Sequence, residues 1–195
     1  MQAASQIKLY IMGAVYENYD QITGQYGRDS VDSNLYSMIT VSDNDAANTL
    51  TTYLGGGDSA AGMQAVNSFC QAHGYDQTHM GVAGCILFIN LLQEMTTVSY
   101  RCVVIIILIA GKEHTSHVSL LKAQTRCNKI PAQLPEGVKT ANKTGELDNV
   151  ENDAGIIYDS KNDVVIVFMS QNLSSAGSAQ NTIATLSRTI YDYYN

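Results

Sequence analysis

The C-terminal part of the chain contains three short runs rich in apolar and β-branched residues, each bounded by polar or glycine-containing turns. The runs are Val138–Gly145, Ala154–Asp159 and Val164–Ser170, and the last two are separated only by Ser160–Asp163. Runs of this length and composition predict β-strands, and the short connection predicts an antiparallel meander. The chain must therefore build a sheet whose neighbouring strands run in opposite directions.

Helical patterns flank these strands on both sides. Apolar residues recur at helical spacing over Ser5 to about Tyr19, Asn34–Thr40, Asp45–Tyr53 and Ser59–His73, and again over Ser178–Tyr193 with Ile183, Leu186, Ile190 and Tyr193 on one face. A polar turn is predicted at Gly24–Asp29, and Gly74 is predicted as a helix cap. Helices followed by an antiparallel sheet and a final helix predict an α+β layered domain over residues 1–195.

Composition excludes several classes of protein. The formal net charge is −7 and the basic residues are scattered, which argues against a nucleic-acid interface. The only long apolar run, Val103–Ala110, is far shorter than the ~20 residues of a membrane span and is expected in the core. No signal peptide begins the chain as written.

Cysteine and histidine spacing gives no sign of a metal or a cofactor. The four cysteines, Cys70, Cys85, Cys102 and Cys127, form no CxxC pair, so buried thiols are expected. A disulfide between Cys85 and Cys102 stays open as an alternative for an exported chain. His114 and His117 are expected on a solvated helix face, since no third ligand is in sight.

The first of three short motifs is Ser5-Gln-Ile-Lys8. Positions i and i+3 share a helix face, so the Lys8 amine is directed toward the Ser5 hydroxyl. A serine needs such a base to become a nucleophile, and the positive end of the helix dipole favours the developing anion. Taken alone, Ser5 could equally be a helix cap and Lys8 a solvated residue.

The second and third motifs are Ser42-Asp43-Asn44 and Lys143-Thr144-Gly145. Ser42 would relay a proton to a leaving nitrogen and Asn44 would hold a substrate carbonyl, while Asp43 would brace the loop. Lys143 and Thr144 would receive a substrate carboxylate, and Gly145 would let the substrate backbone lie against the strand. The alternatives are an ordinary capping cluster and a surface strand with a glycine bulge.

In this order the three motifs resemble the class A β-lactamase type of serine hydrolase and the penicillin-binding enzymes. The stretch Met38 to Asn48, followed by Gly55-Gly56, resembles the loop and helix of the second motif in that family. The resemblance implies that Asn48 anchors the loop of the deacylating Glu. It also implies an oxyanion hole formed by the backbone N–H groups of Ser5 and Glu146.

Two departures from that family shape the expectations. The family carries a helix and two strands ahead of its nucleophile, so a sheet of about three strands with an unpaired edge is expected. Such an edge predicts either association with another chain, including self-association, or poor solubility. Residues 82–109 do not resemble the family, and no Glu occupies the equivalent stretch; the nearest is Glu94. An enzyme without this base should acylate and then release product slowly.

The sequence therefore predicts a bacterial, extracytoplasmic serine hydrolase or acyltransferase that acts on a β-lactam or a peptidoglycan peptide. Ser5, Lys8, Ser42 and Lys143 are the predicted catalytic residues, and no metal or cofactor is expected. Two alternatives stay open. One is an inactive homologue that serves as a binding module, and the other is a Ser-Lys carboxylesterase, which has no need for the charge of Lys143.

Overall fold

The fold is taken from a computed structural model that describes residues 1–75, 78–81, 87–89 and 115–195. Seven α-helices lie in this part of the chain: α1 (Ile7–Glu17), α2 (Tyr19–Tyr26), α3 (Arg28–Thr40), α4 (Asn44–Leu54), α5 (Ser59–Ala72), α6 (Thr115–Lys122) and α7 (Ala176–Tyr194). Short 3₁₀ helices cover Ala4–Gln6 and Ile130–Gln133. The described strands are β1 (Thr78–Met80), β2 (Leu87–Ile89), β3 (Lys139–Leu147), β4 (Val150–Tyr158) and β5 (Val164–Phe168).

Strands β3, β4 and β5 form the antiparallel meander that the sequence predicts, in the order β3-β4-β5. The register pairs Lys143 with Ala154 and Gly145 with Asn152. The predicted three-stranded α+β architecture is confirmed, although β4 begins earlier than predicted and pairs with β3 along its whole length. A small antiparallel sheet of β1 and β2 was not predicted.

Helix α1 lies at the centre of the helical layer. Every residue from Ile7 to Val15 is buried, because the sequence is apolar around nearly the whole helix. Helices α3, α4 and α5 all contact it. The predicted buried helix is confirmed, with the difference that its first turn is the 3₁₀ helix Ala4–Gln6.

The sheet separates two hydrophobic clusters. Ala154 and Ile156 on β4 belong to the large cluster that contains α1, whereas Ile157 packs with Ile183 of α7. Neighbouring residues of a strand point to opposite faces of the sheet, so one strand contributes to both cores. The face of the sheet that packs on the helices thus brings β3 against the 3₁₀ helix Ala4–Gln6, which leads into α1.

The predicted turn at Gly24–Asp29 is wrong. Helix α2 continues to Tyr26 and α3 begins at Arg28, so only Gly27 separates them. Gly27 has a φ of +84°, a conformation that glycine adopts without a steric penalty. A single glycine therefore separates the two helices where the sequence predicted a longer loop. Helix α3 begins at Arg28, six residues before its predicted start at Asn34.

Several predicted environments are also wrong. Leu186 and Tyr193 on α7 are 45% and 82% exposed, since the helix packs through Ile183 and its neighbours instead. His117 is buried and its ring lies 3.4 Å from that of Tyr16. Cys127 is exposed, whereas Cys70 is buried as expected.

Some predictions fall outside the described residues: those on Cys85, Cys102, His114, Glu94 and Val103–Ala110. Within the described part, none of the helices is both long enough and apolar enough to cross a membrane.

Candidate active site

Ser5 and Lys8 lie one turn apart where the 3₁₀ helix enters α1. Lys8 Nζ is 3.1 Å from Ser5 Oγ, as the i, i+3 spacing predicts. The lysine is fully buried, while Ser5 is half-buried and so remains open to a substrate. Ala4, directly before the serine, has a φ of +49°, a strained conformation for a residue other than glycine. This turn directs the hydroxyl to the end of the helix.

Lys8 is also held by the loop between α3 and α4. Its Nζ lies 2.7 Å from the carbonyl oxygen of Ser42, 3.2 Å from Ser42 Oγ and 2.6 Å from Asn44 Oδ1. With Ser5 Oγ, these contacts place the Lys8 amine within hydrogen-bond distance of the hydroxyls of both Ser5 and Ser42. An amine in this position can exchange a proton with either hydroxyl.

The loop that carries Ser42 is fixed by its own backbone. Ser42 has a φ of +63°, and the N–H of Asp43 donates to the Ser37 carbonyl at 3.1 Å. Asp43 caps α4, since its Oδ1 accepts from the Ala46 N–H at 3.0 Å. Asn44 is the first residue of that helix. Asp43 is thus a helix cap, which is the alternative that the sequence left open, and its bracing of the loop stays a prediction.

Lys143 approaches the same hydroxyl from the sheet. Its Nζ donates to Ser42 Oγ at 2.9 Å and to the Thr144 carbonyl at 2.8 Å, and the side chain is fully buried. Burial, and then the neighbouring Lys8, hold the pKa of Lys143 well below its usual range. The Ser42 hydroxyl therefore lies between two buried amines.

Strand β3 packs directly on the nucleophile turn, and Gly145 makes this approach possible. A β-carbon at position 145 would lie 2.7 Å from the Ala3 carbonyl oxygen and 3.2 Å from the Ser5 nitrogen. Any side chain would force the strand away from Ser5. The protein's own backbone therefore requires a glycine at position 145, and the approach of a substrate along this strand stays a prediction.

The remaining predicted residues have different surroundings. Thr144 is buried and lies opposite Asp153 in the register of β3 and β4. Glu146 follows on the same strand and forms ion pairs described below. Asn48 lies one turn beyond Asn44 on α4 with an exposed side chain. The loop that Asn48 was expected to anchor falls largely outside the described residues.

A second cluster of charges, which sequence reasoning missed, lies beside β3. Lys129 is fully buried and pairs with Glu146 at 2.9 Å and with Glu151 at 2.8 Å, while Arg126 pairs with Glu146 at 2.5 Å. Burial works to raise the pKa of Glu146, but Lys129 and Arg126 outweigh it, so this pKa lies below its usual range. No motif surrounds Lys129, so the sequence carried no signal for this cluster.

Asp153 is the other group that the sequence did not single out. Its buried carboxylate accepts from Asn142 Nδ2 at 3.0 Å and from the Ile130 N–H at 3.1 Å. Burial raises the pKa of Asp153 to about 6, although these hydrogen bonds and the charges of Lys129 and Lys143 act to lower it. It lies on β4, next to the strand that carries the third motif.

Comparison with known proteins identifies a family and a fold for the chain. A sequence model described as the beta-lactamase enzyme family matches residues 25–194, a range that contains the second and third motifs and begins after Ser5 and Lys8. No curated protein matches the chain.

Solved structures share the fold at low sequence identity. A beta-lactamase from Sphaerobacter thermophilus has a TM-score of 0.77 at 19% identity, over 100% of this chain and 83% of its own. A class A beta-lactamase from Mycobacterium abscessus has a TM-score of 0.74 at 19% identity, over 100% and 85%. An acyl-enzyme complex of a PBP-A variant with penicillin G has a TM-score of 0.77 at 22% identity, over 98% and 81%.

The arrangement supplies the parts of an acyl-transfer site. The half-buried Ser5 hydroxyl lies beside the buried amine of Lys8. The Ser42 hydroxyl contacts both this amine and that of Lys143. The exposed Asn44 lies at the same site. These groups can activate a nucleophile and carry a proton to a leaving group.

Proposed function

Because the chain belongs to the beta-lactamase enzyme family, we propose that it forms an acyl-enzyme on Ser5 with a β-lactam or a peptidoglycan peptide. The observation that carries this proposal is the position of the Ser42 hydroxyl between two buried amines, 3.2 Å from Lys8 Nζ and 2.9 Å from Lys143 Nζ. Ser42 thus connects Lys8, the proposed base for Ser5, with Lys143 on β3, the strand along which the substrate is proposed to bind.

Acylation begins at Ser5. Its Oγ attacks the amide carbonyl carbon of the substrate as the neutral Lys8 amine takes the hydroxyl proton. A C–O bond forms and the carbonyl π electrons move to oxygen, which produces a tetrahedral anion. The backbone N–H groups of Ser5 and Glu146 are proposed to hold this oxyanion, since β3 packs directly on the Ser5 turn.

Collapse of the tetrahedral anion breaks the C–N bond. The leaving nitrogen takes a proton from the Ser42 hydroxyl, which is replenished by the proton that Lys8 carries. Lys8 returns to the neutral amine and Ser42 to the hydroxyl, so the protons balance. Asn44 accepts from Lys8 through Oδ1, which leaves its Nδ2 to donate to a substrate carbonyl.

Lys143 and Thr144 are proposed to receive the carboxylate that β-lactams and D-amino acid peptides carry. Lys143 is buried without a carboxylate in hydrogen-bond contact among the described residues, and its pKa is well below the usual range. An anionic substrate group would supply the missing counter-charge. The site is thus suited to a substrate that brings its own negative charge.

Deacylation is proposed to be slow. In the described part of the chain, neither an Asp nor a Glu hydrogen-bonds Ser5, and Asn48 faces solvent. A serine ester without a positioned base for water persists, as in penicillin-binding enzymes. An extracytoplasmic location is proposed with this function, because the peptide substrate lies in the cell envelope.

Self-association is proposed through β5. Within the described residues this strand pairs only with β4, and its sequence Val164–Phe168 carries no charge. A groove of about 730 Å³ lies between β5 and the end of α7, next to the exposed Tyr193. An uncharged edge of this kind pairs readily with another strand, which sedimentation velocity would detect as a mass that increases with concentration.

Incubation with a fluorescent penicillin, followed by intact mass spectrometry, tests the acylation. We expect a stable adduct of one penicillin per chain and none with Ser5→Ala, because the ester requires the Ser5 oxygen. Ser178→Ala, at an exposed serine of α7, is the matched control and should keep the adduct.

Three outcomes contradict parts of the proposal. The absence of an adduct at high penicillin concentration would favour an inactive homologue. Rapid turnover without accumulation would show a deacylation base. Acylation by a simple ester that does not depend on Lys143 would favour a carboxylesterase.

A further inference from the structure

The segment that follows α6 is hydrogen-bonded to the end of α3. The Thr125 N–H and hydroxyl both donate to the Thr40 carbonyl, at 3.0 Å and 2.9 Å. The buried Gln124 side chain donates to the Ile39 carbonyl at 3.0 Å and accepts from the Arg126 N–H at 3.0 Å. Helix α3 ends at Thr40, so this segment is attached where the loop of the second motif begins.

The same segment also reaches β3. Arg126 Nη1 lies 2.5 Å from Glu146 Oε2, and Lys129 Nζ lies 2.9 Å from the other carboxylate oxygen of Glu146. Lys129 additionally donates to the Asn152 carbonyl of β4 at 3.2 Å, so it ties Glu146 to the sheet itself. Arg126 is therefore the cation that joins Glu146 to the segment bonded to α3.

The peptide that joins Gly145 to Glu146 lies beside the nucleophile turn. A β-carbon on Gly145 would lie 3.2 Å from the Ser5 nitrogen. The Thr144 carbonyl accepts from Lys143 Nζ at 2.8 Å, and every second residue of a strand directs its backbone groups to the same edge. The Glu146 N–H is accordingly assigned to the edge of β3 away from β4, where the proposed oxyanion hole requires it.

Two connections therefore span the opening between the Ser42 loop and β3. In the first, Lys143 Nζ lies 2.9 Å from Ser42 Oγ. The second runs from the end of α3 through the segment after α6, and Arg126 forms its last contact, with Glu146. The side chains of Arg126 and Glu146 are 44% and 28% exposed, and an exposed ion pair contributes little to the free energy of unfolding. The main consequence of this pair is thus geometric.

We infer that Arg126 is a positioning residue of the acylation site: through its ion pair with Glu146 it fixes β3 relative to the Ser42 loop and thereby orients the Glu146 N–H toward the oxyanion. This inference rests on the proposed function for its effect on acylation, but the connection itself belongs to the free protein. Arg126 acts through Glu146 and takes no part in the proton transfers at Ser5.

Amide hydrogen exchange, followed by NMR, tests the connection in the free protein. Glu146→Gln removes the charge on β3, so the segment after α6 should lose its attachment to the strand. We expect the Thr125 N–H, at the other end of the connection, to exchange about two- to fivefold faster, the range that a pair of this exposure allows. Arg188→Gln is the matched control, because Arg188 pairs with Asp192 at 2.8 Å and is also 44% exposed.

Stopped-flow acylation by penicillin G tests the consequence for the site. Loss of an entire oxyanion donor costs about 10²–10³-fold, and Arg126→Gln should only displace one, so we expect the acylation rate constant to fall about tenfold. The dissociation constant of the noncovalent complex should change less than about twofold, since the oxyanion forms only during the reaction. Arg126→Lys keeps the charge and should recover most of the loss. Arg126→Gln combined with Glu146→Gln should be no slower than the slower single variant, because both break one pair.

The outcomes separate the inference from the proposed function. Unchanged exchange at Thr125 in Glu146→Gln overturns the inference, and so does a loss of acylation that Arg126→Lys does not recover or that Arg188→Gln shares. A weaker noncovalent complex with an unchanged acylation rate constant also overturns it and places Arg126 on the surface that binds substrate. If penicillin G does not acylate the wild type, the proposed function fails, and exchange at Thr125 by itself decides whether Arg126 connects the loop to β3.

Discussion

Two groups of buried lysines lie on opposite faces of β3 and have opposite electrostatics. Lys8 and Lys143 converge on the Ser42 hydroxyl, and their partners in the described part of the chain are neutral oxygens. Lys129 is equally buried, but two carboxylates, Glu146 and Glu151, contact its Nζ. Burial is the same in both places, and the partners that the described residues supply differ.

The difference shows how the same type of residue, a buried lysine, can serve two purposes. A buried amine next to carboxylates is an ammonium locked in an ion pair, and removal of either partner leaves an uncompensated charge. A buried amine next to neutral oxygens and a second lysine loses its proton more easily, as the lowered pKa of Lys143 indicates. The first arrangement suits structure and the second suits proton transfer.

The largest effect is expected for Lys8→Met. The Ser5 hydroxyl would lose its base, and general base catalysis commonly contributes about 10²–10⁴-fold, so acylation should fall by that factor. Stopped-flow measurement of penicillin acylation checks this, with circular dichroism to show that the variant is folded. Acylation within threefold of wild type would mean that another group activates Ser5. Lys8 would then have no catalytic role to set against the structural role of Lys129.

Lys129→Met should instead act on stability. Glu151 is 4% exposed and would lose its counter-charge, so the free energy of unfolding should fall by about 3–5 kcal/mol. Urea denaturation measures this, with Lys139→Met, at an exposed lysine at the start of β3, as the control.

Glu151→Gln added to Lys129→Met should recover part of the loss, because it removes the orphaned charge. A loss below about 1 kcal/mol together with abolished acylation would contradict the structural assignment and place Lys129 in the active site.

Lys143→Met should change stability least. The folded-state pKa of Lys143 is lowered, so the unfolded chain binds the proton more tightly, and at neutral pH this proton favours unfolding. Removal of the amine relieves that cost but frees the Thr144 carbonyl, and we expect a net change within about 1 kcal/mol.

The pH dependence of the same variant sharpens the comparison. The wild type should gain stability relative to Lys143→Met as the pH rises toward the ordinary lysine pKa, where the unfolded chain also loses its proton. Parallel urea denaturation series at pH 7 and pH 9 check the sign. A large loss of stability at pH 7 would show that Lys143 is an ion-paired structural lysine like Lys129.

Local features were the ones that sequence reasoning predicted well. The meander follows from runs of β-branched residues and short turns, and the contact of Lys8 with Ser5 follows from the spacing of one helical turn. The Asp43 cap is equally local, since its acceptor and donor are three residues apart. Each of these depends on neighbours along the chain.

The errors arose where distant packing decides the outcome. Leu186 has the right spacing for the buried face of α7, yet it is exposed because the helix is rotated toward Ile183 and Ser187. His117 looked solvated, but the ring of Tyr16, about one hundred residues earlier in the chain, covers it. No local pattern reports such contacts.

By itself the sequence determined the order of the three motifs and the order of helices, antiparallel strands and final helix. It also determined that Lys8 lies one turn beyond Ser5. All of these depend on spacing along the chain. Only the tertiary structure decided which charges meet. Lys143 and Ser42 are 101 residues apart in sequence and 2.9 Å apart in space. Whether a buried amine finds a carboxylate or a neutral oxygen depends on packing across layers, and that contact sets its protonation and hence its role.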